Sequence, residues 1–127
     1  MNEQRPSVIE AEEIRLVDSD GRRRALIVAS AARNGEPSIT LYDDRGHNRL
    51  VLELHDGRPR VTCYSPSGQP IAGVGQHDDS GTTLVLSRED GRLGFLVRVP
   101  PDGDTVRLEF DRDGQPLPAK AKEEKKE

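Results

Sequence analysis

Five glycines, Gly21, Gly46, Gly68, Gly91 and Gly114, recur along the chain at intervals of 25, 22, 23 and 23 residues. Between them falls a second set, Gly35, Gly57, Gly81 and Gly103. Nine of the twelve glycines therefore share one frame of about two dozen residues. Self-similarity at a fixed period of this size is the mark of a tandem-repeat architecture, in which each repeat is one supersecondary unit.

The unit reads as a β-hairpin. Apolar residues stand seven and five places before the marker glycine in four copies: Ile14 and Leu16, Ile39 and Leu41, Val61 and Cys63, Leu84 and Leu86. Such period-two alternation predicts a strand. Asp, Ser or Pro then leads into Gly, which suits a type I turn followed by a residue at positive φ. A second alternating run follows, with Ala25 and Ile27, Leu50 and Leu52, Ala72 and Val74, Phe95 and Val97. The unit closes at a second turn: Asn34-Gly35, Asp56-Gly57, Ser80-Gly81 or Asp102-Gly103. Asn-Gly and Asp-Gly between strands are hairpin signals. The expected fold is all-β: tandem β-hairpin repeats of about 23 residues in an antiparallel meander, closed as a barrel or a two-layer sandwich.

A one-residue slip in pairing moves every side chain to the other face of the sheet. A four-residue loop from Asp18 to Gly21 sets Ile14 and Leu16 on the same face as Ala25 and Ile27, and makes that first face almost wholly apolar in all four units. A three-residue loop sets them opposite Leu26 and Arg24 instead, so the longer loop is the better reading. The fifth unit departs from the frame. Val106, Leu108 and Phe110 fall on the opposite phase, and Pro116 and Pro118 argue against a full second strand. It reads as a half-unit that ends the sheet, for nine strands and at most ten. The organisation expected is an arm over 1–7, a repeat domain over 8–115 and a charged, disordered tail over 116–127.

Hydrophobic residues make up 32% of the chain and only four residues are aromatic, with no Trp, so a thick core is not available. Charged residues make up 33%, signs are interspersed and the net charge is −4. That balance gives no electrostatic footprint for nucleic acid. No secretory or membrane-spanning run stands out. The single cysteine, Cys63, excludes an internal disulfide and falls on the inward phase of its strand. A cytoplasmic setting follows.

No motif carries chemistry. Asp18-Ser19-Asp20-Gly21 and Asp111-Arg112-Asp113-Gly114 look like fragments of a calcium loop, but neither is followed by the glutamate such a loop needs. The turn reading is preferred. His47, His55 and His77 do not have metal-ligand spacing. Gly73-Val74-Gly75 leads into no helix and reads as a bulge or a close backbone approach. No catalytic residue, cofactor or metal is expected.

One pattern rises above this background. Four places before the marker glycines stand Val17, Tyr42, Tyr64, Ser87 and Phe110, all pointing away from the first face, which leaves the sheet apolar down its middle on both sides. Either these residues are the core of a closed sheet, or they form a surface stripe for a partner. On the second reading Val17, Tyr42, Tyr64 and Phe110 are the partner-binding anchors.

The unit Leu-x-Asp-x-Asp-Gly-x-x-Arg, at Leu16 to Arg24 and loosely at Leu41 to Arg49, resembles tandem hairpin repeats of uncharacterised bacterial proteins over about residues 8–115. Through Tyr42-Asp43 and Gly46 it is distantly similar to the Tyr-Asp repeats of large bacterial shell-forming toxins, which build long spiralling sheets. Neither resemblance implies a catalytic residue. The expected function is a non-enzymatic interaction or scaffold module that binds itself, as a homo-oligomer, or another protein through an apolar sheet face. The alternative is a small up-and-down barrel that carries an apolar ligand.

Overall fold

The computed structural model describes residues 7–76, 78 and 80–118. Nine strands run β1 Glu13–Val17, β2 Arg23–Val28, β3 Ser38–Tyr42, β4 Asn48–His55, β5 Arg58–Tyr64, β6 Pro70–Gln76, β7 Thr82–Ser87, β8 Leu93–Val99 and β9 Val106–Glu109. They form one antiparallel sheet in sequence order, β1 through β9. The all-β meander is therefore as the glycine frame implies. The closure is not. β1 and β9 are the outermost strands, and each strand touches only its sequence neighbours among the nine. Among the described residues there is neither a barrel nor a second layer. A sandwich needs a corner that lets one part of the sheet turn onto another, and a barrel needs strand tilt and shear that bring the last strand back to the first. Here neither occurs, and β9 does not reach β1.

The marker turns explain the register. Gly21 N–H donates to the Asp18 carbonyl at 3.0 Å, and Asp18 N–H donates to the Arg22 carbonyl at 2.9 Å, with Gly21 at φ 77°. This is a three-residue loop of the type I plus left-handed glycine kind, one residue shorter than the expected four. Ile14 nevertheless pairs with Ile27 and Leu16 with Ala25. The pairing then shifts, and Val17 stands opposite Arg23. Arg24 is the extra residue of a β-bulge, which restores the phase that the short loop would have reversed. The same shift recurs at Tyr42, Tyr64 and Ser87. The fifth turn closes in the same way, with Gly114 N–H on the Asp111 carbonyl and a bridge from Phe110 to Pro116. Beyond that bridge Leu117 N–H reaches the Glu109 carbonyl at 2.8 Å. The tail expected to be disordered lies outside the described residues from 119 on.

The second turns vary. Asp56 and Gly57 both have positive φ, 51° and 74°, the two-residue hairpin that Asp-Gly predicts. Asn34-Gly35 instead sits inside a longer connection from β2 to β3. There Asn34 Nδ2 donates to the Leu54 carbonyl at 3.1 Å, and Gly57 N–H donates to Glu36 Oε1 at 2.8 Å. Side chains of one connection thereby hold the next.

A single layer buries little. Among the described residues only Ala25, Thr40, Ser65 and Thr83 are buried. Neither face of the sheet is covered by another element among the described residues.

Candidate interaction surface

Backbone pairing sorts the side chains into rows. On the first face one row runs Ile14, Ile27, Ile39, Leu52, Val61, Val74, Leu84, Val97 from β1 to β8. Beside it, toward the marker turns, runs Leu16, Ala25, Leu41, Leu50, Cys63, Ala72, Leu86, Phe95. Neither row contains a polar side chain other than the Cys63 thiol. Both stop at β9, where Arg107 pairs with Val97 and Glu109 with Phe95. Pro37, Leu54 and Pro59 continue the face toward the second turns. With Ile27, Ile39, Leu52 and Val61 they line a shallow depression of about 350 Å³.

These are the residues that sequence reasoning assigned to a core. Among the described residues nothing lies over them: Ile14, Ile27, Ile39 and Leu84 are each 39% exposed and Leu86 is 45% exposed. Apolar content this low, spread over nine strands with no helix to cover them, was the available signal that the inward phase had nothing to face.

The second face is different in kind. Its middle row runs Leu26, Thr40, Val51, Thr62, Gly73, Val85, Leu96, Leu108, and the next row toward the second turns carries Glu53, Arg60 and Arg98. The anchors Val17, Tyr42, Tyr64 and Phe110 do share one end of the sheet, beside the marker turns. Val17, Tyr42 and Tyr64 sit on every second strand, about 10 Å apart, and Phe110 follows β9, four strands beyond Tyr64. The strands between them place Arg23, Asn48 and Pro70 opposite Val17, Tyr42 and Tyr64, and the fourth member of the series is Ser87. The Arg23 guanidinium covers the Tyr42 ring at 4.7 Å from its centroid. The row is therefore interrupted, and the continuous apolar surface is the first face.

The polar residues of the marker turns are engaged in holding the backbone. Asp18 Oδ1 accepts from the N–H groups of Asp20 and Arg22 at 2.9 and 3.0 Å, and Asp43 Oδ1 accepts from Arg45 and His47 at 3.0 Å. Asp111 repeats the pattern with Asp113 and Gln115. The N–H of Arg22 holds the Asp18 carboxyl below the ordinary aspartate range, and that of His47 does the same for Asp43. In the third unit Ser65 replaces the acid, fully buried, with Oγ 2.8 Å from Ser67 Oγ and 3.2 Å from the Gln69 nitrogen. The final Arg of the repeat unit has a role that the sequence reading missed. Arg24 Nε donates to the Tyr42 carbonyl at 3.2 Å and Arg49 Nε to the Tyr64 carbonyl at 2.8 Å. As the bulge residue, each reaches sideways into the next unit.

No cluster of three metal-ligating side chains occurs among the described residues. His47 lies 3.7 Å from the Asp43 carboxylate and His55 3.9 Å from that of Asp56, both on the surface. His77 lies outside the described residues. An open sheet encloses no lumen, so the barrel on which a ligand-carrier reading depends does not form. No protein-family model and no curated protein matches this chain. The reading of the surface therefore rests on its own geometry.

Proposed function

We propose that this protein is a non-enzymatic interaction or scaffold module whose first sheet face is a contact surface for protein. One observation carries the reading: two unbroken rows of apolar, mostly aliphatic side chains cross eight strands with no element above them among the described residues. An antiparallel sheet tolerates water on a polar face, and this face is not polar. Eight strands at about 4.8 Å by roughly 16 Å along each strand make about 600 Å² of sheet. That is the size of the largest apolar patches on ordinary monomers, which mark contact sites more often than chance allows.

Light scattering and a hydrophobic dye test this, comparing the wild type with Leu52→Arg. Leu52 is already 38% exposed, so a guanidinium there reaches water in the free chain and the sheet is expected to persist. The wild type should either associate above the 14.0 kDa chain mass or remain monomeric and bind the dye, and Leu52→Arg should reduce whichever occurs. A wild type that stays monomeric without binding dye refutes the proposal, as does an assembly that Leu52→Arg leaves intact.

A further inference from the structure

We infer that the first face is covered by the first face of a second copy of this chain, the two related by a two-fold axis lying along the rows, between the Ile27 row and the Ala25 row. This rests on the contact-surface reading above and adds the occupant and its orientation. β9 sets the orientation. It is the only strand whose first-face side chains are both charged, Arg107 and Glu109, held 3.0 Å apart with the Arg107 guanidinium 5.4 Å from the centre of the Phe95 ring.

Three two-fold arrangements bring the apolar rows together, and the charges choose among them. An axis parallel to the strands sets β9 over β1, which lays Arg107 and Glu109 at the rim against Ile14 and Leu16 of the second copy, where neither meets an opposite charge of that copy. An axis along the Ile27 row sets Arg107 over Arg107 of the second copy. An axis between the two rows sets Arg107 over Glu109 of the second copy and Glu109 over its Arg107. Opposite charges then meet twice at a solvent-exposed rim, where such pairs set orientation more than affinity. The same axis lays every strand on its own copy. Ile14 then meets Leu16, and large meets small at β2 and β6, with Ile27 over Ala25 and Val74 over Ala72, the interdigitation that a sandwich core requires. The pair buries on the order of 1,000 Å², the low end for a specific interface, so the dimer is expected to exchange in the micromolar range.

The test uses the full chain carrying either Arg107→Glu or Glu109→Arg. Each change gives one rim two like charges, so each variant alone should dimerise at least tenfold more weakly than the wild type. Mixed, with one variant ¹⁵N-labelled, they should form a mixed dimer by native mass spectrometry at concentrations where each alone is monomeric. The pair that is lost is exposed, so circular dichroism should match the wild type, as should melting at concentrations where both are monomeric. Should a variant misfold, salt decides: the wild-type dimer should weaken several-fold between low and high ionic strength. Variants that dimerise like the wild type, a mixture that shows no preference for the mixed dimer, or salt-insensitive association overturn the inference. A monomeric wild type that binds the dye overturns the second copy as occupant while the contact-surface reading stands. An assembly indifferent to Leu52→Arg overturns both.

Discussion

Replacing Gly81 by alanine should cost far more stability than the same change at Gly46, although both glycines close turns. Gly46 has φ 84° and nothing within 4 Å of where a Cβ would sit. Alanine there meets only the penalty of a left-handed backbone, about 1 kcal/mol. Gly81 has φ 113°, and its Cβ would collide with the Val99 carbonyl oxygen and lie 2.7 Å from Pro100 Cα. Both obstacles are backbone and cannot rotate away. The unfavourable φ adds about 1–3 kcal/mol and the forced displacement about 1–3 kcal/mol more, for a centre near 4 kcal/mol. Against a total stability of about 5–15 kcal/mol that is a large share. At about 4–8 °C per kcal/mol, Gly46→Ala should lower the melting temperature by about 4–8 °C and Gly81→Ala by about 16–32 °C. Thermal melts followed by the strand signal in circular dichroism, backed by urea titration, measure both. If the two variants melt within a few degrees of each other, β7 does not begin pressed against the end of β8, and the reasoning fails.

Two further outcomes are expected. Asp18 and Asp43 have carboxyl groups held below the ordinary value of 3.8 by backbone N–H donors, so the stability they contribute is present above that value and is lost as pH falls through their lower folded values. Asp18→Asn with Asp43→Asn should flatten the loss of stability in an acid titration below pH 4, and an unchanged acid slope would count against the turn bonds. Tyr42→Ser with Tyr64→Ser should leave the associated mass unchanged while lowering the melting point modestly, because Asn48 lies between the two strands that carry the rings and Arg23 covers that of Tyr42; a monomeric double mutant that stays folded would return the contact to the second face.

The repeat was legible because a hairpin writes its constraints locally. Gly46 and Gly57 stand where φ is positive, Asp18 and Asp43 where a turn needs a short acceptor, and the alternation of Ile39 and Leu41 with Leu50 and Leu52 names the face they share. Even the register was recoverable, since only one phase makes a continuous apolar face. The bulge that produces it was not legible, because Arg24 and Arg49 look like ordinary surface arginines until their guanidinium groups are seen on the carbonyls of the next unit. Closure was not legible either. An inward-facing Ile27 reads the same whether it faces another layer of its own chain or open water, since alternation records only that two faces differ. What decides is the path of nine strands through space. Every hairpin advances the chain by one strand in the same direction, no corner folds it back, and the face that local pattern marks as inside is left without an inside.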